Sequence, residues 1–397
     1  MPHLRNRHLT PALKKFMKYS PIVGIVGHRQ VGKTTLGVEM SSSYVTLDDP
    51  TQLDLAENDP NRLLSGHPKT PFCIDECQYA PPLFPALKEW VRTTPKPGQF
   101  LLTGSVRFTS RKAIRESLTG RIITAELLPM DLSEANSAKL PSKIPHLLNS
   151  KSLDIKLDEP SYFSEKTMKE ALEKGGLPGI FSIRNTSIFE QRFETQVNTI
   201  LERDLKLITP TTLGYRTLRN LAVQLALTQG QPLEWESLHR ATRISVPTLR
   251  KLISALESIF MIRVIDSIGT EKKPVLFMED QGEATYLCGG RYSEIMDLTR
   301  FLFSQLRAQI HYRPELKIKM TAWKNRGGAH VPLCFEQRNS FLGIIPSLEE
   351  SPDSTAMASA RSFIKKFQNG KILIAHPHKK DVLIHPSIRS LPIGKLI

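Results

Sequence analysis

The chain is short of cysteine, of acidic residues relative to basic ones, and of long apolar runs, and each shortage excludes a class of protein. Its four cysteines, Cys73, Cys77, Cys288 and Cys334, make no disulfide framework. Cys73 and Cys77 have no matching Cys or His pair nearby, which argues against zinc and for small apolar fillers. No apolar run approaches the roughly 18 residues that cross a bilayer. The first 20 residues carry Arg5, Arg7, Lys14, Lys15 and Lys18 without an acid, but no apolar signal segment follows them. A cytoplasmic location is therefore expected, with the N-terminus as a basic, partly helical lead-in. The shortage of acids, 39 against 54 basic residues, leaves a formal charge of +15, which favours polyanions such as nucleic acid or a lipid surface but also suits a solvated basic surface. Apolar residues at 40% and a length of 397 allow two or three domains, each with a core of its own.

Against these absences stands one complete motif. Gly27-His28-Arg29-Gln30-Val31-Gly32-Lys33-Thr34 has the G-x-x-x-x-G-K-[ST] form of a phosphate-binding loop. The apolar run Ile22 to Val26 before it predicts a buried parallel strand, and Thr35 to Met40 after it a helix. Backbone N–H groups and the positive end of that helix suit the β- and γ-phosphates of ATP. Residues Gly27 through Thr35 are the expected nucleotide contacts, His28 through its backbone alone. Lys33 is assigned to the phosphate oxygens and the Thr34 hydroxyl to Mg²⁺.

A second expected strand, Pro71 to Glu76, ends in two carboxylates. Adjacent acids at a buried strand tip call for a cation or a proton. Asp75 is assigned to Mg²⁺, directly or through water, and Glu76 to the water that attacks the γ-phosphate. A third strand, Gln99 to Leu102, runs into Thr103-Gly104-Ser105, where Thr103 or Ser105 could sense the γ-phosphate or steady that water. In a parallel sheet these strand ends share one edge. Arg107, Arg115 and Arg121 follow, and each is a candidate for an arginine acting on the transition state from its own or a neighbouring subunit.

Together with Tyr44 to Pro50, Ile74 to Gln78, Leu102 to Ser105, Ser117 to Arg121 and Leu128-Pro129-Met130, the loop resembles the prokaryotic AAA-type ATPase family built from an ATPase domain, a winged helix and a nuclease-like C-terminal domain of unknown function. The likeness weakens through Gly175 to Pro178, Glu202 to Leu205 and Lys273 to Asp280. It implies an α/β fold with a parallel P-loop NTPase sheet, a helical and winged-helix region, and a degenerate restriction-endonuclease-like α/β domain. The expected divisions are 1–135 (ATPase), 136–210 (loop and helical lid extension), 211–285 (winged helix) and 286–397 (nuclease-like, inactive). Inactivity is expected because His330, Pro332, Ile344 and Pro346 stand where the acids and the Glu-x-Lys pair of such a nuclease would be.

Within 211–285 the apolar spacing itself predicts three helices and a strand. Leu218, Leu221, Ala222, Leu225 and Ala226 mark the first helix, Gly230-Gln231-Pro232 a break, Trp235 to Ala241 the second, and Ser245 the cap of a third through Ile259. If this module reads DNA, Thr248, Arg250 and Lys251 face it and Arg240 and Arg243 lie near phosphates; otherwise it packs against the ATPase or relays its state. Glu202-Arg203-Asp204 is either an ion-pair cluster or a charge for the nucleotide site. Two functions follow: a Mg²⁺-dependent ATPase acting on a nucleic-acid or protein partner, or a nucleotide-dependent, DNA-associated regulator that hydrolyses little. Oligomeric state is left open.

Overall fold

Short aliphatic runs in the first third form five strands, β1 (Ile22–Val26), β2 (Ser43–Thr46), β3 (Phe72–Asp75), β4 (Phe100–Gly104) and β5 (Ile122–Glu126). In the computed structural model, which describes residues 4–110 and 112–397 without the side chains of Thr109, Lys112, Ala113 and Arg115, they make one parallel sheet in the order β2-β3-β4-β1-β5. β1, β3 and β4 are buried along their whole length, as a sheet covered on both faces requires. β2 and β5 were not among the expected strands. Both are edge strands that keep polar residues half-exposed, so neither shows a continuous apolar run.

The three expected helices lie at Tyr215–Leu227, Trp235–Thr242 and Val246–Ser258. The third is capped by Ser245, whose hydroxyl accepts the Thr248 N–H at 3.4 Å. They pack on an antiparallel pair, β6 (Ile262–Ile265) and β7 (Val275–Met278), of which only β6 was expected.

The last third builds a six-stranded sheet from β8 (Lys319–Lys324), β9 (His330–Gln337), β10 (Ser340–Pro346), β11 (Gly370–His376), β12 (Val382–His385) and β13 (Ile388–Pro392), in the order β12-β13-β11-β10-β9-β8. β8, β9 and β10 form an antiparallel meander; β11 and β13 continue it in parallel. His330 and Pro332 lie on β9, Ile344 and Pro346 on β10.

Residues 136–165, expected as a loop or lid on the ATPase, instead cover the C-terminal sheet. The helix Lys143–Asn149 buries Ile144, Leu147 and Leu148 in one cluster with Phe335, Leu342 and Leu373. Lys371 donates to the helix's last carbonyls, at 2.6 Å to Leu147 and 3.0 Å to Leu148, and Arg389 to those of Leu153 and Ile155. Ser, Lys and Pro between the apolar positions masked their spacing. Among the described residues no helix is long and apolar enough to cross a membrane.

The helix Glu294–His311, buried over most of its surface, joins these parts. Arg307 donates to Glu279 at 2.6 Å and to Glu126, at the tip of β5, at 2.5 Å; Arg263 on β6 pairs with the same two acids. Burial would raise the Glu126 carboxyl, but Arg263 and Arg307 hold it well below the usual carboxylate range. Removing one member of such a buried set leaves charge uncompensated, which costs about 3–5 kcal/mol. Glu126→Gln is therefore expected to destabilise the protein by about that amount; thermal unfolding of variant and parent checks it, and an unchanged midpoint would show the cluster to be energetically idle.

Candidate nucleotide site

The phosphate loop leaves β1 at the edge where all five strands end. Gly32 has φ 99°, a conformation only glycine takes without strain, and opens the helix Lys33–Met40. At Gly27 a Cβ would stand 2.4 Å from the Leu127 carbonyl oxygen, so the loop can pass β5 only with glycine there. Val31 is fully buried, and its carbonyl accepts Arg7 Nη1 at 2.6 Å. Arg7, expected only as part of a basic lead-in, is thus a strut under the loop, paired at 3.1 Å with buried Glu134.

Lys33 is buried and donates to the carbonyls of Gly27 at 3.1 Å and His28 at 2.9 Å. Burial lowers its pKa despite the nearby charges of Glu76 and Asp75. A buried ammonium bonded only to carbonyls suits an incoming anion, which is the test a phosphate site must pass. Thr34 Oγ1 donates to Asp75 Oδ2 at 2.8 Å. A hydroxyl and a carboxylate so placed suit Mg²⁺, which takes few protein ligands and keeps phosphate oxygens and waters for the rest.

Asp75 collects two more hydroxyls, from Thr103 and, at 3.0 Å, from Tyr44 on neighbouring β2. Burial and the Asp75 charge both raise the Tyr44 pKa, so it remains a donor. Glu76 lies beyond the strand in the left-handed region, φ 53°, a conformation that strains a non-glycine residue. Its carboxylate is held by Gln78 Nε2 and by Ser105 Oγ at 3.3 Å, while its N–H donates to Thr103 Oγ1 at 3.2 Å. Thr103 near the end of β4 thus bonds the Asp75 carboxylate and the Glu76 N–H, and Ser105 just after the strand bonds the Glu76 carboxylate. Tyr44 and Gln78 were not singled out from the sequence. Ser43 to Thr46 followed by Asp49-Pro50, where Asp49 caps the helix Pro50–Asn58, was the available signal for β2.

Two of the three candidate arginines go elsewhere. Arg121 precedes β5, and Ile122 pairs with Ile22 at the start of β1, so Arg121 sits on the opposite sheet edge from the loop, about 16 Å away at roughly 3.3 Å per residue. Within its own chain it does not reach the phosphate loop. Arg107 donates to the Glu257 carbonyl and lies over the Phe260 ring at 5.2 Å. The Arg115 side chain lies outside the described residues. Arg29 of the loop itself is instead beside the site, 3.1 Å from Asp204.

His28 does more than offer its backbone. Its ring is buried, with Nδ1 2.8 Å from the Arg29 carbonyl and Nε2 3.5 Å from Glu283 Oε2 on the helix Gln281–Cys288. Glu283 also accepts Gln196 Nε2 at 2.7 Å. Asp280 caps that helix and accepts the Gly176 N–H at 2.7 Å; burial pushes its carboxyl up to about 6. The cations Arg240, Arg243, Arg250 and Lys251 are exposed on the three-helix module, with Thr248 half-buried and Arg250 stacked on Trp235 at 4.3 Å.

A parallel sheet with a phosphate loop after β1 and acids at the tip of β3 defines a P-loop class of domain, and residues 19–136 match the AAA domain family. Residues 165–291 match a second family, described as a domain of unknown function (DUF8612). The chain is 24% identical to the uncharacterized proteins Rv2008c of Mycobacterium tuberculosis and Mb2031c of Mycobacterium bovis, over 99% of its own length and 85% of theirs. Similar solved structures include the Walker-type ATPase PABY2304 of Pyrococcus abyssi, 17% identical with a TM-score of 0.41 over 72% of this chain and 96% of that one. AMPPCP-bound DnaA from Aquifex aeolicus is 14% identical, with a TM-score of 0.30 over 63% of this chain and 85% of that one.

Burial opposes the charged form of His28, but the charge and hydrogen bond of Glu283, the Arg29 carbonyl and the charge of Asp280 together hold the pKa above 6.5. A histidine raised on folding stabilises the protein below its unfolded pKa of about 6.5 and loses that contribution as pH rises through the folded value. Glu283→Gln is expected to remove this loss, flattening the fall of the melting temperature above pH 6.5. Superimposable pH profiles for variant and parent would show that the pair is not ionised.

Proposed function

We propose that the protein is a Mg²⁺-dependent ATP hydrolase. The observation that carries this is the contact of Thr34 Oγ1 with Asp75 at 2.8 Å beside the buried Lys33, an arrangement suited to a magnesium–phosphate pair. Lys33 and the loop N–H groups bind the β- and γ-phosphates, and Thr34 and Asp75 hold the metal, which when bound neutralises phosphate charge. Glu76, fixed by Gln78 and Ser105, takes the proton of the attacking water. The water oxygen bonds to the γ-phosphorus as the bond to the β–γ bridging oxygen breaks, and the electron pair leaves on ADP. Thr103 and Tyr44 keep Asp75 in place, and Thr103 ties its backbone neighbour Glu76 to the same group. Hydrolysis is coupled to a nucleic-acid or protein partner through the remaining modules.

Lys33→Ala should abolish or severely weaken MgATP binding with the fold retained, and unchanged affinity in a calorimetric titration would sink the assignment. Glu76→Gln should bind MgATP normally but lose turnover, since an amide takes no proton from water; equal rates for variant and parent would move the base elsewhere.

The exposed cations on the three-helix module favour a nucleic-acid partner. We read that module as a winged helix whose surface around Arg240, Arg243, Thr248, Arg250 and Lys251 meets the DNA backbone without sequence preference. Neutralising the four cations should weaken duplex binding and reduce the slope of log affinity against log salt by about one unit per lost phosphate contact, with DNA-free hydrolysis unchanged. Fluorescence anisotropy at two salt concentrations decides it, and no complex at low salt removes DNA as the partner.

A further inference from the structure

We propose that Arg29, within the phosphate loop, is the arginine that neutralises the γ-phosphate during hydrolysis, acting within its own chain, and that Asp204 positions it. The inference rests on the reading of this loop as an ATP site. Among the described residues, neither of the sequence-predicted arginines takes that role within the chain, because Arg121 lies on the opposite sheet edge and Arg107 is engaged with Glu257 and Phe260.

Arg29 is placed for it. The carbonyl of the preceding His28 accepts Lys33 Nζ at 2.9 Å, so the backbone carrying Arg29 lies against the ammonium assigned to the phosphates. Asp204 engages Nη1 alone, with its two oxygens at 3.1 and 3.4 Å, and leaves the other terminal nitrogen outside that pair. Asp204 is 2% exposed and closes a five-residue π-helical turn, Ile200–Asp204. Such a turn is an irregularity often found at functional sites. Its neighbour Arg203 stacks on Tyr79 at 4.7 Å and approaches Asp48 at 3.8 Å, so the turn is fastened to the rim around Glu76 as well as to the loop.

The electrostatics fit this placement. Burial raises the Asp204 carboxyl above the usual aspartate value despite Arg29, and the charge of Glu76 adds to this. Asp204 and Glu76 therefore bear on one guanidinium, and both raise its pKa against burial. As the bond to the β–γ bridging oxygen breaks, negative charge builds on the phosphate oxygens beside the loop, and a guanidinium that Asp204 holds through one terminal nitrogen keeps donors with which to meet it. Arg203 and Asp204 accordingly make ion pairs with other elements, and Asp204 also reaches the loop.

The test compares Arg29→Ala, Arg29→Lys and Asp204→Asn with the parent in kcat, MgATP affinity, affinity for ADP with aluminium fluoride and melting temperature. Arg29→Ala should lose about 10³ in kcat and its preference for ADP with aluminium fluoride over ADP, with MgATP affinity within about threefold. Arg29→Lys retains the pair with Asp204 and the melting temperature but not the planar fork, and should remain at least about tenfold slow; it decides the matter if Arg29→Ala does not fold. Asp204→Asn should lower kcat about tenfold and weaken aluminium fluoride complexation without changing MgATP affinity. A parent that hydrolyses ATP while folded Arg29 variants keep parental kcat and aluminium fluoride affinity overturns the inference and leaves the ATPase reading standing. A parent that binds no MgATP overturns both.

Discussion

Glu126, at the tip of β5, is shared by arginines from two other parts of the chain, and the docking of the molecule's three sheets depends on that sharing. Arg263 arrives on β6 and Arg307 on the long helix Glu294–His311, and both also reach Glu279 at the end of β7. Each of these charges loses several kcal/mol of hydration on burial, and only the presence of the others offsets it. Such a set forms completely or at a penalty. The parallel sheet, the β6–β7 pair and the helix packed under the C-terminal sheet are therefore stable in one mutual arrangement.

That arrangement brings remote residues to the phosphate loop. Arg7 bonds the Val31 carbonyl from below, Glu283 approaches the buried His28 ring, and Asp204 pairs with Arg29. Three separate parts of the chain thus grip the loop. A phosphate entering beside Lys33 would be felt at once by the helix Gln281–Cys288 and by the π-helical turn, because the groups in contact are charged and screened little by water. The loop is thereby tied to elements beyond the first sheet.

The parts of the fold visible in the sequence were those with a strong local signature. β1, β3 and β4 are unbroken apolar runs, the loop is a spaced motif, and the helices at Tyr215–Leu227 and Val246–Ser258 show apolar faces. β2 and β5 were missed for want of such a signature; β7, β8, β11, β12 and β13 were not anticipated either, although β7 and β11 are buried along their whole length. The helix Lys143–Asn149 was hidden because its apolar face is completed by Phe335, Leu342 and Leu373, far away in the last third of the chain. At the site, Asp75 and Thr103 near their strand ends converge with Thr34 in the first turn of the helix after the loop. Tyr44 could not be anticipated, since its role depends on which strand lies beside β3.

By itself the sequence determined the phosphate loop, the acids at the end of β3, the main strands and helices, and the excess of positive charge, because each is a property of neighbouring residues. Only the tertiary structure decided which charges meet. It sent Arg121 to the far edge of the sheet and Arg107 to the neighbouring module, and it put Arg29, Asp204 and Glu76 into one electrostatic group. The physical reason is that ion pairing depends on distance and burial after folding, and neither is encoded by spacing along the chain.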